Sequence, residues 1–180
     1  MPNQQIQHSL HGREIGLGLK NELILRDEAR GGLNDAQALI WSIARVNLTT
    51  AQILALRGTE IAIVAAPGAL KAVIVDHVEC FLDWSGGTGY TAGAGEDLSF
   101  RYTDNAGIEV VPPIDGAAFI AAVADTYAYS WGVVTDAAQG MVPTVNAAVV
   151  ATMNSGEVTL GDSPVVVNLY YRIVDTVLTV

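Results

Sequence analysis

The residues best suited to covalent chemistry form the triplet Gly161-Asp162-Ser163. A serine nucleophile needs a histidine as general base and an acid that orients the histidine. All histidines of this sequence precede Ser163, and the serine lies before its predicted strand rather than after one. The triplet and Pro164 are therefore predicted to form a turn that opens a strand. No catalytic residue is assigned, and the protein is expected not to be an enzyme.

The glycine-rich stretch GTGYTA, residues 87–92, matches the pattern G-x-G-x-x-A. That fingerprint binds a dinucleotide because the amides at the start of a following helix hold the pyrophosphate. Here the next residues, EDLSFRYTD, alternate like a strand, and Glu96 and Asp97 would repel phosphate. The stretch is predicted to be a mobile loop between strands, and no cofactor is expected.

Two histidine pairs have spacings that metal sites use. His8 and His11 could share a helix face, and His77 and Glu79 could share a strand face. No nearby acid or cysteine completes a ligand set for His8 and His11, and His77 and Glu79 would need a third ligand from a neighbouring strand. Solvent-facing polar positions explain the second pair equally well. The acidic stretches GEDLS and TDNAG lack the ligand spacing of a calcium loop. No metal ligand is assigned.

Aromatic residues suggest a binding surface and leave two interpretations open. They could stack against sugar rings, as in a carbohydrate-binding module, or they could lie in the core and at a subunit interface. The second interpretation is favoured because tyrosine and tryptophan are enriched at interfaces. The six residues concerned are Trp84, Tyr90, Tyr102, Tyr127, Tyr129 and Trp131.

The composition also favours a protein that works by contact. Apolar residues make up 51% of the 180 residues and charged residues only 16%, so much of the surface is expected to be covered by a partner. The formal charge of -10 argues against binding nucleic acid or anionic membranes. Cys80, the single cysteine, excludes an internal disulfide and is predicted to be a buried apolar residue.

The N-terminus has no continuous apolar segment, which predicts that a secretory signal is absent. The most apolar window, IAIVAAPGALKAVIV, is interrupted by Pro67, Gly68 and Lys71, so no membrane helix is expected. Synthesis in the cytoplasm is the resulting expectation.

The chain is predicted to contain an N-terminal arm, residues 1–47, and a β-domain, residues 48–180. In the arm, NDAQALIWSIARV indicates one short helix with Asn34 or Asp35 as its N-cap. The residues at helical spacing in this segment are Ala36, Leu39, Ile40 and Ile43.

Eight short runs separated by turn residues indicate an antiparallel sandwich or barrel from residue 48 onward. The alanine-rich IDGAAFIAAVAD is expected to form a short helix across one end. The predicted strands are TTAQILAL, EIAIVAA, LKAVIVDHVECFLDW, DLSFRYT, GIEVV, TYAYSWGV, TVNAAVVATM and VVVNLYYRIV.

Two of these runs alternate clearly enough to assign faces. In the last run, the residues predicted to face the core are Val167, Leu169, Tyr171 and Ile173, whereas Asn168, Tyr170 and Arg172 face solvent or a neighbour. In the long third run, the even positions predicted to face inward are Ile74, Val78, Cys80, Leu82 and Trp84. Asp76 interrupts the alternation, which predicts a β-bulge there.

The runs GTEIAIVAAPGALKAVIVDHVECFLDW, EDLSFRYTD and GEVTLGDSPVVVNLYYRIV resemble head decoration, or cement, proteins encoded beside the major capsid protein of tailed phages. The resemblance covers roughly residues 50 to 174. It implies a jelly-roll-like antiparallel β-sandwich, a homotrimer, and binding to the major capsid protein on the outer surface of the head, with the arm and the loops at the sandwich end as contacts. The alternative is a carbohydrate-binding β-sandwich of a phage tail or adhesin.

Overall fold

The computed structural model describes residues 41–131 and 143–176, and within residues 1–40 the backbone of three strands. The chain divides into two compact units, Met1–Trp41 and Ser42–Val180. Among the described residues there is no helix long and apolar enough to span a membrane.

The first unit contains a three-stranded antiparallel sheet. Its strands are β1 (His8–Leu10), β2 (Arg13–Leu17) and β3 (Leu23–Asp27), in the order β1-β2-β3. The strands described within residues 8–27 of the predicted arm thus form a small sheet, which the sequence did not predict. Most of the predicted helix, residues 34–40, lies outside the described residues.

The second unit is built from two larger antiparallel sheets and one pair of very short strands, which confirms the prediction of an all-β antiparallel sandwich. The sheet orders are β4-β12-β6-β9, β5-β10-β8 and β11-β7. The jelly-roll order of the strands stays a prediction. The elements in chain order are β4 (Ser42–Leu48), α1 (Thr50–Leu54), β5 (Ile61–Val64), β6 (Lys71–Leu82), β7 (Tyr90–Thr91), β8 (Leu98–Tyr102), β9 (Thr126–Trp131), β10 (Val149–Met153), β11 (Thr159–Leu160) and β12 (Val165–Asp175).

Strand β4 replaces the C-terminal part of the predicted helix. It pairs with β12 along its length, from Leu48 opposite Val165 to Ser42 opposite Tyr171. Ile43, expected on a helix face, therefore lies in a strand. Because residues 42–47 belong to the sheet, the second unit begins at Ser42 rather than at residue 48.

Helix α1 replaces the predicted first strand, TTAQILAL. Thr49 and Gln52 form a capping box: the Gln52 amide donates to Thr49 Oγ1 at 3.3 Å, and the Thr49 amide donates to Gln52 Oε1 at 2.9 Å. This reciprocal pair satisfies amides that the first helical turn leaves free. The helix buries Ile53 in the core.

The two larger sheets face each other across one hydrophobic core. Tyr102 of β8 is buried in it, and its hydroxyl donates to the carbonyl of Val73 in β6 at 2.5 Å. Cys80 is also buried, as predicted, and burial followed by the charge of Glu79 raises the pKa of its thiol.

The predicted bulge at Asp76 is present, and it changes the face of β6 that turns inward, which the sequence did not predict. Tyr170 of β12 pairs with His77 and Tyr171 pairs with Val75, so Asp76 has no partner in the ladder. Before the bulge the odd positions Val73 and Val75 are buried, and after it the even positions are buried. The inward assignment of Ile74 was therefore wrong.

Three further predictions need correction. GIEVV forms a single bridge, Arg101 to Glu109, rather than a strand. IDGAAFIAAVAD forms successive turns rather than a helix, and the Asp115 side chain accepts from the Ala118 amide at 3.0 Å. Ile173 is 49% exposed although its alternation pointed inward.

The two sheets differ in how their outer faces are covered. Every residue of β10 is buried, because the chain after α1 lies over its second face, where Thr152 Oγ1 donates to the Leu56 carbonyl at 3.3 Å. In the sheet β4-β12-β6-β9, by contrast, the outward side chains of β9 are exposed, and those of β4, β12 and the part of β6 after the bulge are exposed or only partly buried. This uncovered side, called the outer face below, is where a partner could bind.

Candidate functional site

The outer face consists of three rows of side chains that the strand register brings side by side. Residues directly opposite each other in antiparallel strands point to the same side of the sheet. Each row runs across β4, β12, β6 and β9. The rows are Ile43, Tyr170, His77 and Trp131; then Arg45, Asn168, Glu79 and Tyr129; then Asn47, Val166, Phe81 and Tyr127.

Strand β9 supplies the most exposed aromatic side chains of the face. Tyr127, Tyr129 and Trp131 are 56%, 62% and 60% exposed, whereas the alternate Ser130 is buried. Leaving three such large side chains in water is unfavourable unless a partner covers them. These three residues are the exposed half of the aromatic set that the sequence singled out.

The other members of that set are structural. Tyr90 and Tyr102 are buried in the core, and Trp84 is partly buried. The Tyr90 hydroxyl donates to the Ser163 carbonyl at 2.6 Å. The six aromatic residues thus form an exposed group and a buried or partly buried group, which the sequence did not distinguish.

Glu79 lies in the middle row of the face and accepts a hydrogen bond from a tyrosine of the neighbouring strand. The Tyr170 hydroxyl donates to Glu79 Oε2 at 3.1 Å. This hydrogen bond, followed by desolvation, raises the pKa of Tyr170. Desolvation, and then a hydrogen bond with Glu79, raises the pKa of Tyr127 to about 12. The carboxylate is therefore fixed among phenol groups that stay neutral at physiological pH.

His77 is held by ring stacking and by acids on its own strand. Its ring stacks on Tyr170, with centroids 4.0 Å apart, and contacts Trp131 at 4.9 Å. Its Nδ1 lies 2.8 Å from Asp76 Oδ2, and its Nε2 lies 3.9 Å from Glu79 Oε1. These contacts hold the imidazole between the rings of Tyr170 and Trp131 in the first row of the face.

The His77 and Glu79 pair, considered as a metal site, is surrounded by aromatic rings on the neighbouring strands. No group of three potential ligands occurs within the described part of the chain. His8 lies in β1, where only the backbone is described, and His11 lies outside the described residues.

The Gly161-Asp162-Ser163 triplet lies in the irregular connection between β11 and β12, where the sequence predicted a turn. Ser163 is buried, and its Oγ accepts from the Ser85 amide at 3.1 Å. Asp162 accepts from Ser85 Oγ at 2.5 Å and from the Thr88 amide at 2.9 Å, and these bonds lower its pKa. Asp162 and Ser163 thereby anchor the chain at residues 85–88.

The hydrogen bond from the Thr88 amide to Asp162 also holds the GTGYTA stretch. It is followed by strand β8 rather than by a helix, and its Tyr90 and Thr91 pair with β11. The loop predicted to be mobile is held by hydrogen bonds to Asp162 at one end and by β7 in its middle.

Sequence reasoning missed the pairing of Glu79 with Tyr170 and the placing of Ile43 on the same face. The alternation of Tyr127, Tyr129 and Trp131 along one strand was a usable signal. The contact between β6 and β12 joins residues far apart in sequence, and only the folded register reveals it.

The fold and the site define a class: an all-β antiparallel protein with an exposed aromatic sheet face. Comparison with protein-family models and with curated proteins gave no match. Among solved structures, a chain of the "Cyanophage Pam1 capsid asymmetric unit" matches with 17% identity and a TM-score of 0.37, covering 73% of this chain and 82% of that chain.

Proposed function

We propose that this protein is a structural virion protein, a capsid decoration or cement protein that binds the assembled phage head and stabilises it by bridging major capsid subunits. The observation that carries the proposal is the outer face, with its three exposed aromatic residues on β9. The resemblance of the strand runs to head decoration proteins supplies the class of partner.

The proposed mechanism needs only binding. A protein that binds the assembled lattice and not its free subunits shifts assembly toward the lattice by mass action. Several copies joined as a homotrimer would bind adjacent subunits at once, which raises their effective affinity. Exposed aromatic side chains at the centre of such a contact supply most of its binding energy.

Light scattering of the purified protein, followed by sedimentation with expanded empty capsids, tests the proposal. The expected results are a trimer in solution and saturable sedimentation with the capsids. Trp131→Ser should reduce sedimentation strongly, and Ile108→Ser serves as the matched control because Ile108 is also exposed but lies outside the outer face. A stable monomer that ignores capsids would contradict the proposal.

Carbohydrate binding is the second candidate, favoured by the exposure of Tyr127, Tyr129 and Trp131. A flat sugar platform requires aromatic rings that lie roughly in one plane. The Tyr129 and Trp131 rings are instead at 89° to each other, with centroids 6.2 Å apart. The ring geometry therefore favours a protein partner, and a glycan-binding assay on the same variants separates the two candidates.

A further inference from the structure

We propose that the outer face recognises a positively charged side chain, arginine or lysine, presented by the partner protein, and that Tyr129, Trp131 and Glu79 form the receiving corner. The inference rests on the proposed function for the identity of the partner as a lattice subunit. Its chemistry is argued from the corner itself.

The perpendicular rings of Tyr129 and Trp131 favour the binding of a cation. Cations are attracted to the faces of aromatic rings, and two rings at a right angle partly enclose the space between them. Tyr129 and Trp131 meet at 89° on adjacent outward positions of β9, and both rings are more than half exposed. In this edge-to-face pair the exposed ring faces can attract a cation, whereas a flat apolar group meets no continuous plane.

The carboxylate of Glu79 lies beside the two rings and can pair with the cation. Glu79 lies directly opposite Tyr129 in the register between β6 and β9. A carboxylate has about four acceptor positions, so the hydrogen bond from Tyr170 leaves capacity for a donor from a partner. An arginine lying over the rings could donate to this carboxylate at the same time.

The negative charge of this protein complements the charge of a basic partner. The chain has a formal charge of -10, and Asp76 and Glu79 both lie beside this end of the sheet. The basic residue in the same row, Arg45, is on β4, with Asn168 of β12 between it and Glu79. A basic partner would thus approach along a favourable field and meet the acidic side of the face.

The test uses the full-length protein and two matched peptides. Nuclear magnetic resonance spectra of the ¹⁵N-labelled protein are recorded while an arginine-containing pentapeptide is added, and then the same peptide with neutral citrulline in place of arginine. We expect the indole resonance of Trp131 to shift saturably with the arginine peptide and at least about fivefold more weakly with the citrulline peptide. Equal shifts with both peptides, or no shift with either, would overturn the proposal, as would a shift with methyl glycosides alone.

Variants locate the site. Glu79→Gln should weaken binding of the arginine peptide by about fivefold, and Trp131→Leu by about tenfold. Asp83→Asn removes one negative charge from an exposed position just beyond β6, so it should change binding less than about twofold. Equal weakening by Glu79→Gln and Asp83→Asn would reduce the effect to net charge and overturn the site. If Trp131→Leu does not fold, the citrulline comparison and Glu79→Gln still decide.

The two proposals can fail separately. If the protein binds the arginine peptide but ignores capsids, the lattice function is wrong and the cation site stands. If Glu79→Gln and Trp131→Leu sediment with capsids as well as the unsubstituted protein, capsid binding stands and the assignment of this corner is wrong.

Discussion

The hydroxyl of Tyr102 in β8 donates to the main-chain carbonyl of Val73 in β6, so one buried hydrogen bond of 2.5 Å joins the two sheets of the sandwich. Because the outer face belongs to the sheet that contains Val73, this contact ties the proposed binding surface to the core. The stability of the face can therefore be tested at a residue that is not part of it.

Tyr102→Phe should lower the free energy of unfolding by about 1–3 kcal/mol, because it removes the donor from a buried carbonyl and leaves the packing unchanged. Urea unfolding measures the change. Tyr129→Phe removes a hydroxyl from an exposed ring and should cost less than about 0.5 kcal/mol. Equal losses in the two variants would show that the Tyr102 hydrogen bond does not stabilise the fold.

Stability should also fall at alkaline pH. Burial raises the pKa of Tyr102 from its ordinary 10.0 to about 12. Between these values the folded state keeps a proton that the unfolded state has lost, so the free energy of unfolding decreases as pH rises through this window. Below pH 10, Tyr102 contributes about 2–3 kcal/mol to the free energy of unfolding. This contribution is lost as pH rises above the pKa of Tyr102 in the folded state, about 12.

Urea unfolding at a series of pH values from 8 to about 12 measures this dependence. In Tyr102→Phe the free energy of unfolding should fall less steeply between pH 10 and about 12, because this phenol no longer titrates. An unchanged slope in that variant would contradict the assignment.

Gly161→Ala should be strongly destabilising. Gly161 has a φ of +85°, and an added Cβ would collide with the Tyr90 ring, which is held by its hydrogen bond to the Ser163 carbonyl. The expected cost is about 2–4 kcal/mol, from backbone strain and overpacking together.

Gly86→Ala provides the control for this substitution. Gly86 has a similar φ of +79°, but an added Cβ there meets nothing within 4 Å. It should cost only about 1 kcal/mol, which is the backbone term alone. The difference in thermal unfolding isolates the contact with Tyr90, and equal losses would show that this contact is unimportant.

Ser163 should not react as a nucleophile. Its side chain is buried and accepts a hydrogen bond from the Ser85 amide, and no histidine side chain is among its hydrogen-bond partners in the described residues. A fluorophosphonate probe should leave the protein unlabelled while it labels a known serine esterase in the same tube. Labelling that disappears in Ser163→Ala would contradict this structural role of Ser163.

Local sequence signals predicted the parts of the fold that depend on neighbouring residues. The broken alternation at Asp76 predicted the bulge, and the alternating residues of β12 predicted that Val167 and Leu169 are buried. Residue type and position also predicted that Ser163 stands before a strand, as it does at the start of β12.

Errors arose where a local pattern had two meanings or where the fold overrode it. The apolar spacing around Ile43 fits a helix, but pairing with β12 makes it a strand. The capping box at Thr49 and Gln52 was a valid helix signal in TTAQILAL that the strand assignment passed over. The outer face combines side chains from four strands, and the register that joins them depends on long-range pairing.

The most direct test of the central claim is covalent footprinting, read by mass spectrometry, of the protein free and bound to expanded capsids. We expect Tyr127, Tyr129 and Trp131 to become several-fold less reactive on binding, while Ile108 and Val123, which are exposed elsewhere, keep their reactivity. Unchanged reactivity of the three β9 aromatics in the bound protein, with protection found only at other exposed positions, would contradict the assignment of the outer face as the binding surface.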